Sequence, residues 1–358
     1  MDRRRLTNGF DSARIVGGIL TMTSTSTTPS TSNRVADWLR FAAANWRSYG
    51  LPIALIVILI IGTIASRFFL VDTTQGGINV RWGNILNILV QASVIGILAV
   101  GMTYVILTAG IDLSVGSVIA LAGVAAATFG DFGAPVMVIV GVLTGLAVGV
   151  TNGLLVTWGR VVPFIATLAM LTIARGLAHT ITGAAPVRIT DEAYIAIGAG
   201  QLFGVIPYVV IIFALIAGLG WFGLSRTVFG RQIYAVGGNR VAARLSGIPV
   251  RRTEFAVYAI SGLCAGIAAV LVSARTATAQ PSAGAGNELD AIAAVVVGGV
   301  SLFGGRGSLV GTIYGVLILT AITNIFVLLN MSYDAQLIIK GAIILAAVML
   351  QRRADLEE

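Results

Sequence analysis

Residues 85–129 read ILNILVQASVIGILAVGMTYVILTAGIDLSVGSVIALAGVAAATF. Apart from Asp112, this stretch contains no charged residue, and a membrane-crossing helix needs about 20 apolar residues. Gly110 and Gly116 interrupt the apolar run within the sequence GIDLSVGS, Gly110–Ser117. The stretch therefore predicts two membrane helices that are separated by a break containing a carboxylate.

The composition extends this interpretation to the whole chain. Of the 358 residues, 57% are hydrophobic and 11% are charged, against about 25% charged in a soluble globular domain. We therefore predict an all-α polytopic membrane protein with about ten transmembrane helices. The spans are placed near Leu51–Ser66, Ile85–Thr108, Ser114–Phe129, Pro135–Trp158, Val162–Thr182, Val205–Leu224, Glu254–Ser273, Leu289–Phe303, Leu309–Leu329 and Ala335–Leu350.

The basic residues divide unequally between the two sides of these spans. With the N-terminus in the cytoplasm, the inner loops and tails hold 17 of the 23 Lys and Arg residues. The outer loops hold only Arg67, Arg81, Arg188 and Arg275. This asymmetry follows the positive-inside rule and predicts that both termini are cytoplasmic. The net charge of +8 is thereby explained by topology, and no nucleic-acid partner is needed.

Three regions are expected along the chain. Residues 1–48 include the Ser/Thr-rich stretch TMTSTSTTPSTSN, Thr21–Asn33, and are predicted to be a disordered cytoplasmic tail and juxtamembrane segment. Met22 is an alternative start. Residues 49–352 form the membrane domain, with one large cytoplasmic loop at 225–253, and residues 353–358 form a C-terminal tail.

The large inner loop contains GGNRVAARLSGIPVRR, Gly237–Arg252. Asn239 is a favourable N-cap, Gly247 suits the left-handed position after a helix, and Pro249 prevents continuation. The pattern predicts a short helix over Arg240–Ser246, which is marginal alone in water. We expect a face with Val241, Ala242 and Leu245 to dock on a partner. A solvated loop between two spans is the alternative.

Two breaks carry carboxylates. In GIDLSVGS, Asp112 or Ser114 can cap the next helix, and an intramembrane carboxylate is also a functional candidate. In AQPSAGAGNELDAIAAVVVGG, Ala279–Gly299, Asn287 is predicted to cap the eighth span. Glu288 and Asp290 in its first turn are favoured by the helix dipole, so that a structural role is the alternative to lining a pathway.

Uncharged polar groups and glycines recur within the spans. The polar groups suit hydroxyl-bearing solutes or interhelical hydrogen bonds, and the glycine spacing favours close helix packing. Arg175 and Lys340 need partners if they lie deep. A weak internal repeat is visible between the two halves. The polar candidates are Asn87, Gln91, Asn152, Thr167 and Asn324; the glycine pairs and triplet are Gly141/Gly145/Gly149, Gly262/Gly266 and Gly311/Gly315.

Several chemistries are excluded by residue counts. The single Cys264 rules out an internal disulfide, and with the single His179 it rules out a Cys/His zinc site, so no metal site is expected. No nucleophile and base pair for an intramembrane enzyme is apparent. A phosphate-binding loop requires a lysine followed by Ser or Thr, and the only lysine, Lys340, precedes a glycine. Any ATP and its Mg²⁺ must therefore be bound by another polypeptide.

Five segments together resemble the permease of bacterial ABC sugar importers, the family of the ribose, xylose, arabinose and galactose permeases. The resemblance runs from about Asn84 to Arg352, in the family's order. The chain departs from the ribose-type pattern in DTTQGGINVRWGN, residues 72–84, and in its Ser/Thr-rich tail. The segments are GMTYVILTAGIDLSVGSVIAL, GRVVPFIATLAMLTIARG, YAVGGNRVAARLSGI, AQPSAGAGNELDAIAAVVVGG and SLFGGRGSLVGT.

The resemblance implies a multi-pass protein of the bacterial inner membrane with the ABC importer permease fold. It implies a second permease copy, a cytoplasmic ABC ATPase, an extracytoplasmic sugar-binding protein, and import of a monosaccharide by alternating access. The segment Gly237–Gly247 then matches the helix that couples ATP-driven closure to the spans. The coupling candidates are Gly238, Asn239, Arg240, Ala242, Ala243, Ser246 and Gly247; the pathway candidates are Asn87, Gln91, Asp112, Ser114, Asn152, Thr167, Asn287, Glu288, Asp290 and Asn324.

Other functions stay open at this point. Related permeases import branched-chain amino acids, nucleosides or a furanose-like signalling molecule. An ion-coupled secondary transporter is the rival from another class, and it would need a titratable group deep in the bundle. Apart from Asp112 and Glu254, the spans hold no carboxylate away from their ends.

Overall fold

The computed structural model describes residues 50–72 and 79–356, and the predicted N-terminal tail lies outside these residues. Within them the fold is almost entirely helical. The helices are α1 Gly50–Ala65, α2 Trp82–Leu107, α3 Val115–Thr128, α4 Ala134–Thr157, α5 Pro163–Thr182, α6 Glu192–Ala199, α7 Tyr208–Arg226, α8 Val228–Gly238, α9 Arg240–Leu245, α10 Val250–Thr276, α11 Asn287–Val297, α12 Leu309–Leu328 and α13 Tyr333–Leu356.

Three short antiparallel hairpins or pairings complete the described part. The pairing of β3 with β6 joins the chain after α5 to the chain after α10, so both segments lie at the same end of the bundle. The strands are β1 Val71–Asp72, β2 Asn79–Val80, β3 Val187–Arg188, β4 Gln201–Leu202, β5 Ile206–Pro207 and β6 Thr278–Ala279. A single-turn 3₁₀ helix, Gly130–Phe132, links α3 to α4.

Six of the described helices are long and apolar enough to cross a membrane: α2, α4, α5, α7, α10 and α12. Helices α1 and α3 are apolar but shorter. The structure therefore supports a polytopic membrane protein and does not confirm the predicted count of about ten spans. Helix α13 continues to Leu356, so most of the predicted C-terminal tail is helical.

The eighth predicted span is the element that differs most from the prediction. The sequence predicts a helix over Leu289–Phe303, whereas α11 ends at Val297. Gly298 and Gly299 follow it, and Gly299 has a φ of +84°, which favours glycine and ends the helix. With 11 residues the helix spans about 16 Å, roughly half of a bilayer core.

Helix α10 lies at the centre of the bundle, against α4, α2 and α3. Its contact with α4 is made by glycines, as the spacing predicts. A methyl group at Gly145 would lie 2.5 Å from the carbonyl oxygen of Gly262 and from the backbone nitrogen of Gly266. The two backbones therefore touch with no side chain between them. Gly315 of α12 packs in the same way on Ala294 and Gly298 after α11.

The remaining spans expose apolar side chains on their outer faces. Helices α4, α5 and α7 are each largely uncovered, with exposed residues such as Leu143, Ile165 and Leu215. A helix with such a face is stable only against lipid or another chain. The layout thus has an enclosed centre formed by α2, α10 and α12 and a periphery suited to the bilayer.

Candidate coupling and translocation sites

Helix α9 has the predicted caps at both ends. The side-chain oxygen of Asn239 accepts hydrogen bonds from the backbone nitrogens of Val241 and Ala242, at 3.0 and 2.9 Å. Gly247 has a φ of +80°, in the left-handed region. The predicted two turns are shorter than expected, because α9 ends at Leu245 and Ser246 follows as the C-cap. The predicted residues at the two ends of this short helix are confirmed.

The faces of α9 differ in burial. Ala243 is buried in a small cluster with Val236 and Val250, which fixes the helix to its own chain. Val241 is 70% exposed and Leu245 is 84% exposed. Two apolar side chains held in the open at positions i and i+4 form a small docking face, because they share one side of the helix. The predicted coupling residues thus lie on this helix and at its ends: Gly238, Asn239, Arg240, Ala242, Ala243, Ser246 and Gly247.

An ion pair connects α9 to α10. A guanidinium nitrogen of Arg240 donates to a carboxylate oxygen of Glu254 at 2.6 Å. The Glu254 side chain is only 7% exposed, and it belongs to the first turns of α10. The sequence analysis named Glu254 as an intramembrane carboxylate but missed this role. Its one available signal is an acid that follows Arg251 and Arg252 at the start of an apolar helix.

The end of α8 packs against two other segments. A methyl group at Gly237 would overlap the carbonyl oxygen of Leu107, at the end of α2. The backbone nitrogen of Gly305 donates to the same carbonyl oxygen at 2.9 Å. The segment that leads into α9 is thereby pressed against the end of α2 and against the loop between α11 and α12.

A buried polar network surrounds the first break, and one of its atoms, the side-chain oxygen of Asn152, has no hydrogen-bond partner among the described residues. One carboxylate oxygen of Asp112 accepts from the backbone nitrogen and hydroxyl of Ser114, at 3.0 and 2.6 Å, and the other accepts from the hydroxyl of Ser261 at 2.8 Å. The side-chain nitrogen of Asn152 donates to the Ser114 hydroxyl at 2.8 Å. All four residues are buried. The network ties the break to α4 and α10, and Ser261 is its unpredicted member.

The second break, residues 280–286, is held by a charged side chain. One nitrogen of Arg175 on α5 donates to the carbonyl oxygens of Pro281 and Ala283, at 2.9 and 2.7 Å. These carbonyls are the partners that the sequence analysis required for Arg175. The prediction that Asn287 caps α11 is wrong, because Gly286 occupies the cap position with a φ of +85° and Asn287 is the first helical residue.

The two breaks meet at Gly116. A methyl group there would overlap a carboxylate oxygen of Glu288 and would lie 2.5 Å from the carbonyl oxygen of Gly284. Glu288 accepts a 3.3 Å hydrogen bond from the backbone nitrogen of Gly286 through one oxygen. Its other oxygen is buried and has no hydrogen-bond partner among the described residues. The Glu288 carboxylate is therefore less completely hydrogen-bonded than the Asp112 carboxylate.

A polar cavity of about 260 Å³ lies between α2, α10, α11, α12 and α13. The ammonium of Lys340 bonds to both carboxylate oxygens of Asp290 at 3.1 Å, and the side chains are 21% and 30% exposed. A partly exposed ion pair in a membrane protein needs polar surroundings, because lipid would not solvate it. The polar residues that line the cavity are Gln91, Arg275, Asp290, Thr320, Thr323 and Lys340.

The predicted pathway residues therefore separate into groups. Gln91 and Asp290 come together in the cavity. Asp112, Ser114 and Asn152 belong to the buried network around the first break. Asn324 exchanges hydrogen bonds with Asn84, at 2.8 and 3.0 Å, and Thr167 donates to backbone carbonyls; both contacts are structural. Asn287 and Glu288 begin α11, and Asn87 is exposed on α2 outside the cavity.

Comparison with known proteins decides the class of this helical bundle. The profile of a family described as "Branched-chain amino acid transport system / permease component" matches residues 84–348. The chain belongs to this family. The permease is a transport component and not an enzyme. Within the described residues, no three His, Cys, Asp or Glu side chains form a group that could hold a metal ion.

Three curated relatives show how far the likeness of this permease extends. It is 44% identical over 305 residues to the ribose import permease protein RbsC of Escherichia coli (strain K12), covering 84% of this chain and 91% of that protein. It is 39% identical over 311 residues to the D-allose transport system permease protein AlsC of the same strain, covering 86% and 92%. It is 35% identical to the xylose transport system permease protein XylH of that strain over an alignment of 359 positions, covering 82% and 91%. No solved structure matches the chain.

Proposed function

We propose that the chain is the membrane-spanning subunit of an ATP-driven ABC importer for a monosaccharide, a pentose or hexose. An extracytoplasmic binding protein delivers the sugar, and alternating access moves it across the bacterial inner membrane. The names of the relatives, which specify ribose, allose and xylose, support this substrate class. The observation that carries the mechanism is the Arg240–Glu254 bond between an exposed helix and the central helix of the bundle.

The coupling step follows from this bond and from the exposed face of α9. A separate cytoplasmic ATPase binds ATP and Mg²⁺ and docks on Val241 and Leu245. Its closure displaces α9, and the ion pair passes the displacement to the start of α10. Because the Glu254 carboxylate is enclosed and joined to a guanidinium at 2.6 Å, the link is stiff. Gly238, Asn239 and Gly247 fix the position of α9 relative to α10.

The cavity around Asp290 and Lys340 is the proposed passage for the solute. Gln91, Thr320 and Thr323 offer amide and hydroxyl groups, which can both donate to and accept from sugar hydroxyls. A second permease copy completes the pathway. It packs against the uncovered apolar surfaces of the spans. The distribution of Arg and Lys supports a cytoplasmic location for both termini. Nucleic acid is not among the proposed partners.

A branched-chain amino acid is the second candidate solute, because the family description names that transport system. The paired charges of Asp290 and Lys340 would suit the ammonium and carboxylate of an amino acid. Binding of radiolabelled ribose, allose, xylose and leucine to the cognate binding protein, followed by uptake into proteoliposomes, separates the two. Sugar uptake that leucine does not compete supports the proposal, and leucine uptake contradicts it.

Coupling is tested with charge reversal in the assembled importer. Arg240→Glu or Glu254→Arg alone should lower ATP-driven uptake at least tenfold while ATP hydrolysis continues, because the link between α9 and α10 is broken. The double variant restores the pair and should recover part of the uptake. Glu192→Gln, an exposed acid in the first turn of α6, is the matched control. Equal uptake by wild-type protein and both single variants would refute the coupling role.

Topology is tested by thiol labelling in a Cys264→Ala background. A cysteine replacing Arg240 should react with an impermeant maleimide only from the cytoplasmic side. A cysteine replacing Glu192 should react only from outside. Labelling of the position 240 cysteine in intact cells would overturn the proposed orientation.

A further inference from the structure

A cavity of about 460 Å³ opens between the α4–α5 turn, α9 and the first turn of α10. Four arginines from these three segments line it: Arg160, Arg240, Arg244 and Arg251. The rest of the lining is apolar or small, and no carboxylate contributes to it. Arginines that merely follow the positive-inside rule need not converge on one cavity, so the clustering requires its own explanation.

The charge of this arginine cavity is poorly compensated within the chain. Glu254 bonds to Arg240, and it also interacts electrostatically with Arg244. In the part of the chain that the structure describes, the guanidinium groups of Arg160 and Arg251 have neither a hydrogen-bond nor an ion-pair partner. Four like charges around one cavity repel each other, and an anion inside it would remove that repulsion.

The turn that supplies Arg160 is held in an uncommon conformation. Arg160 has a φ of +57°, in the left-handed region that non-glycine residues seldom adopt. Gly159 precedes it, packed against the backbone of Leu155. A strained turn that keeps an arginine at a cavity wall is typical of binding segments.

Exposed apolar side chains continue the surface beside the arginine cavity. They are Trp158, Val162, Phe164 and Ile165, at the end of α4 and the start of α5. Tryptophan is enriched at the membrane–water interface, so that this end of α5 borders the headgroup region. A ligand with a negatively charged group and long apolar chains would satisfy both surfaces at once.

The arginines do not share the docking face of α9. At about 100° per residue, Arg240 and Arg244 lie on one side of the helix, and Val241 and Leu245 lie about a quarter turn away. The arginine cavity therefore lies on a different side of α9 from the two apolar residues proposed to contact the ATPase.

We propose that the arginine cavity binds the phosphate headgroup of an anionic phospholipid from the cytoplasmic leaflet, with its acyl chains along the exposed face of α5. The choice of leaflet depends on the orientation given under the proposed function. Guanidinium groups bind phosphate through paired hydrogen bonds, and basic pockets between membrane helices on the cytoplasmic side are suited to such headgroups. The bound lipid lowers the repulsion among the four arginines.

Native mass spectrometry of the full-length protein, purified in mild detergent, tests the proposal. Phosphatidylglycerol, cardiolipin or phosphatidylcholine is added at equal concentration. We expect wild-type protein to retain the two anionic lipids and to lose phosphatidylcholine. Arg160→Gln combined with Arg251→Gln should reduce retention of the anionic lipids at least fivefold. Arg252→Gln, the neighbouring exposed arginine that does not line the cavity, should retain them fully.

Three results would overturn the proposal. Equal retention by the double variant and by Arg252→Gln would place the lipid elsewhere. Displacement of the lipid by millimolar inorganic phosphate would show a site for free phosphate. Displacement by the cognate ATPase would show that the arginines belong to the ATPase interface. Arg251→Gln alone changes an exposed position and should leave the protein correctly folded. Its retention of anionic lipid should fall less than that of the double variant. The binding assay needs neither solute nor ATP, so its failure is separate from a failure of uptake.

Discussion

Each of the two breaks in the helical bundle has a carboxylate close to it, but the two carboxylates differ in the hydrogen bonds that they accept. At the first break, the Asp112 carboxylate accepts three hydrogen bonds between 2.6 and 3.0 Å and is buried. At the second, Glu288 accepts one bond at 3.3 Å, and its other oxygen has no hydrogen-bond partner among the described residues. The Asp112 carboxylate is therefore well satisfied, whereas the second break leads into α11, whose Asp290 lines the cavity together with Lys340.

This difference indicates which break is better suited to contact a transported solute. A buried carboxylate that accepts three short hydrogen bonds gains little by exchanging partners, and it holds one conformation. A carboxylate with an unfilled position can accept a water or a solute hydroxyl without first losing a bond. We therefore expect the first break to have a mainly architectural role and the second to lie closer to the proposed translocation pathway.

Asp112→Leu is expected to have the largest effect, because it removes the hydrogen-bond acceptor at the centre of the buried network. The hydroxyls of Ser114 and Ser261 would stay buried without their acceptor, at a cost of about 1–3 kcal/mol for each unsatisfied group. We expect little folded protein in detergent by fluorescence-detected size-exclusion chromatography. Asp131→Asn, an exposed acid between α3 and α4, is the control and should behave as wild type. A normal yield and melting temperature for Asp112→Leu would remove the architectural role.

Gly116→Ala tests the contact between the two breaks. The added methyl group meets the Gly284 carbonyl oxygen at 2.5 Å and overlaps Glu288, so that backbone must shift. Overpacking of this kind costs about 1–3 kcal/mol. The melting temperature should fall, and solute uptake should fall with it. Gly176→Ala on α5 meets no atom within 4 Å and should melt as wild type does. An equal shift in both variants would show that helix propensity alone is responsible.

Asp290→Asn separates function from stability at the second break. A partly exposed ion pair contributes only about 1 kcal/mol or less, so the melting temperature should change little. Uptake should fall about tenfold, because the ammonium of Lys340 would then border the pathway without its carboxylate partner. Asp334→Asn in the first turn of α13 is the control. If uptake is unchanged, the cavity lies outside the solute pathway.

Arg175→Lys is expected to have the smallest effect. A lysine keeps the charge and can donate to the carbonyls of Pro281 and Ala283, but from a shorter and more strongly hydrated group. We expect a loss of about 1 kcal/mol of stability, comparable with one hydrogen bond. Arg175→Met, which removes both donors, should lose more. If both variants melt at the wild-type temperature, the hydrogen bonds to the second break contribute nothing measurable.

Much of the fold could be predicted because it depends on local pattern. Runs of apolar residues placed the ten segments that became α1–α5, α7 and α10–α13, and the glycine spacing anticipated the contact of α4 with α10. The caps of α9 were predictable because Asn239 and Gly247 act on backbone groups within a few residues. The end of α11 was missed because apolar residues continue past the glycines that terminate it.

The pairing of polar groups could not be predicted in the same way. Asn84 and Asn324 are 240 positions apart, Asp112 and Ser261 are 149 apart, and Asp290 and Lys340 are 50 apart. Each pair forms only once helices from distant parts of the chain are packed. The sequence shows that such groups need partners, because lipid supplies none. It does not show which partner each one finds.

The glycine contact between α4 and α10 has a mechanical consequence. With no side chains between them, the two backbones cannot be compressed further, and the two helices act together as a stiff beam. Helix α10 has 27 residues and is therefore about 40 Å long. Glu254 lies near one end and Arg275, at the polar cavity, lies near the other. By the same helix geometry, Glu254 and Arg275 are about 32 Å apart, so a tilt of about 10° about the Glu254 end would move the cavity end by about 5 to 6 Å, and a displacement of α9 that tilts α10 would reach the cavity.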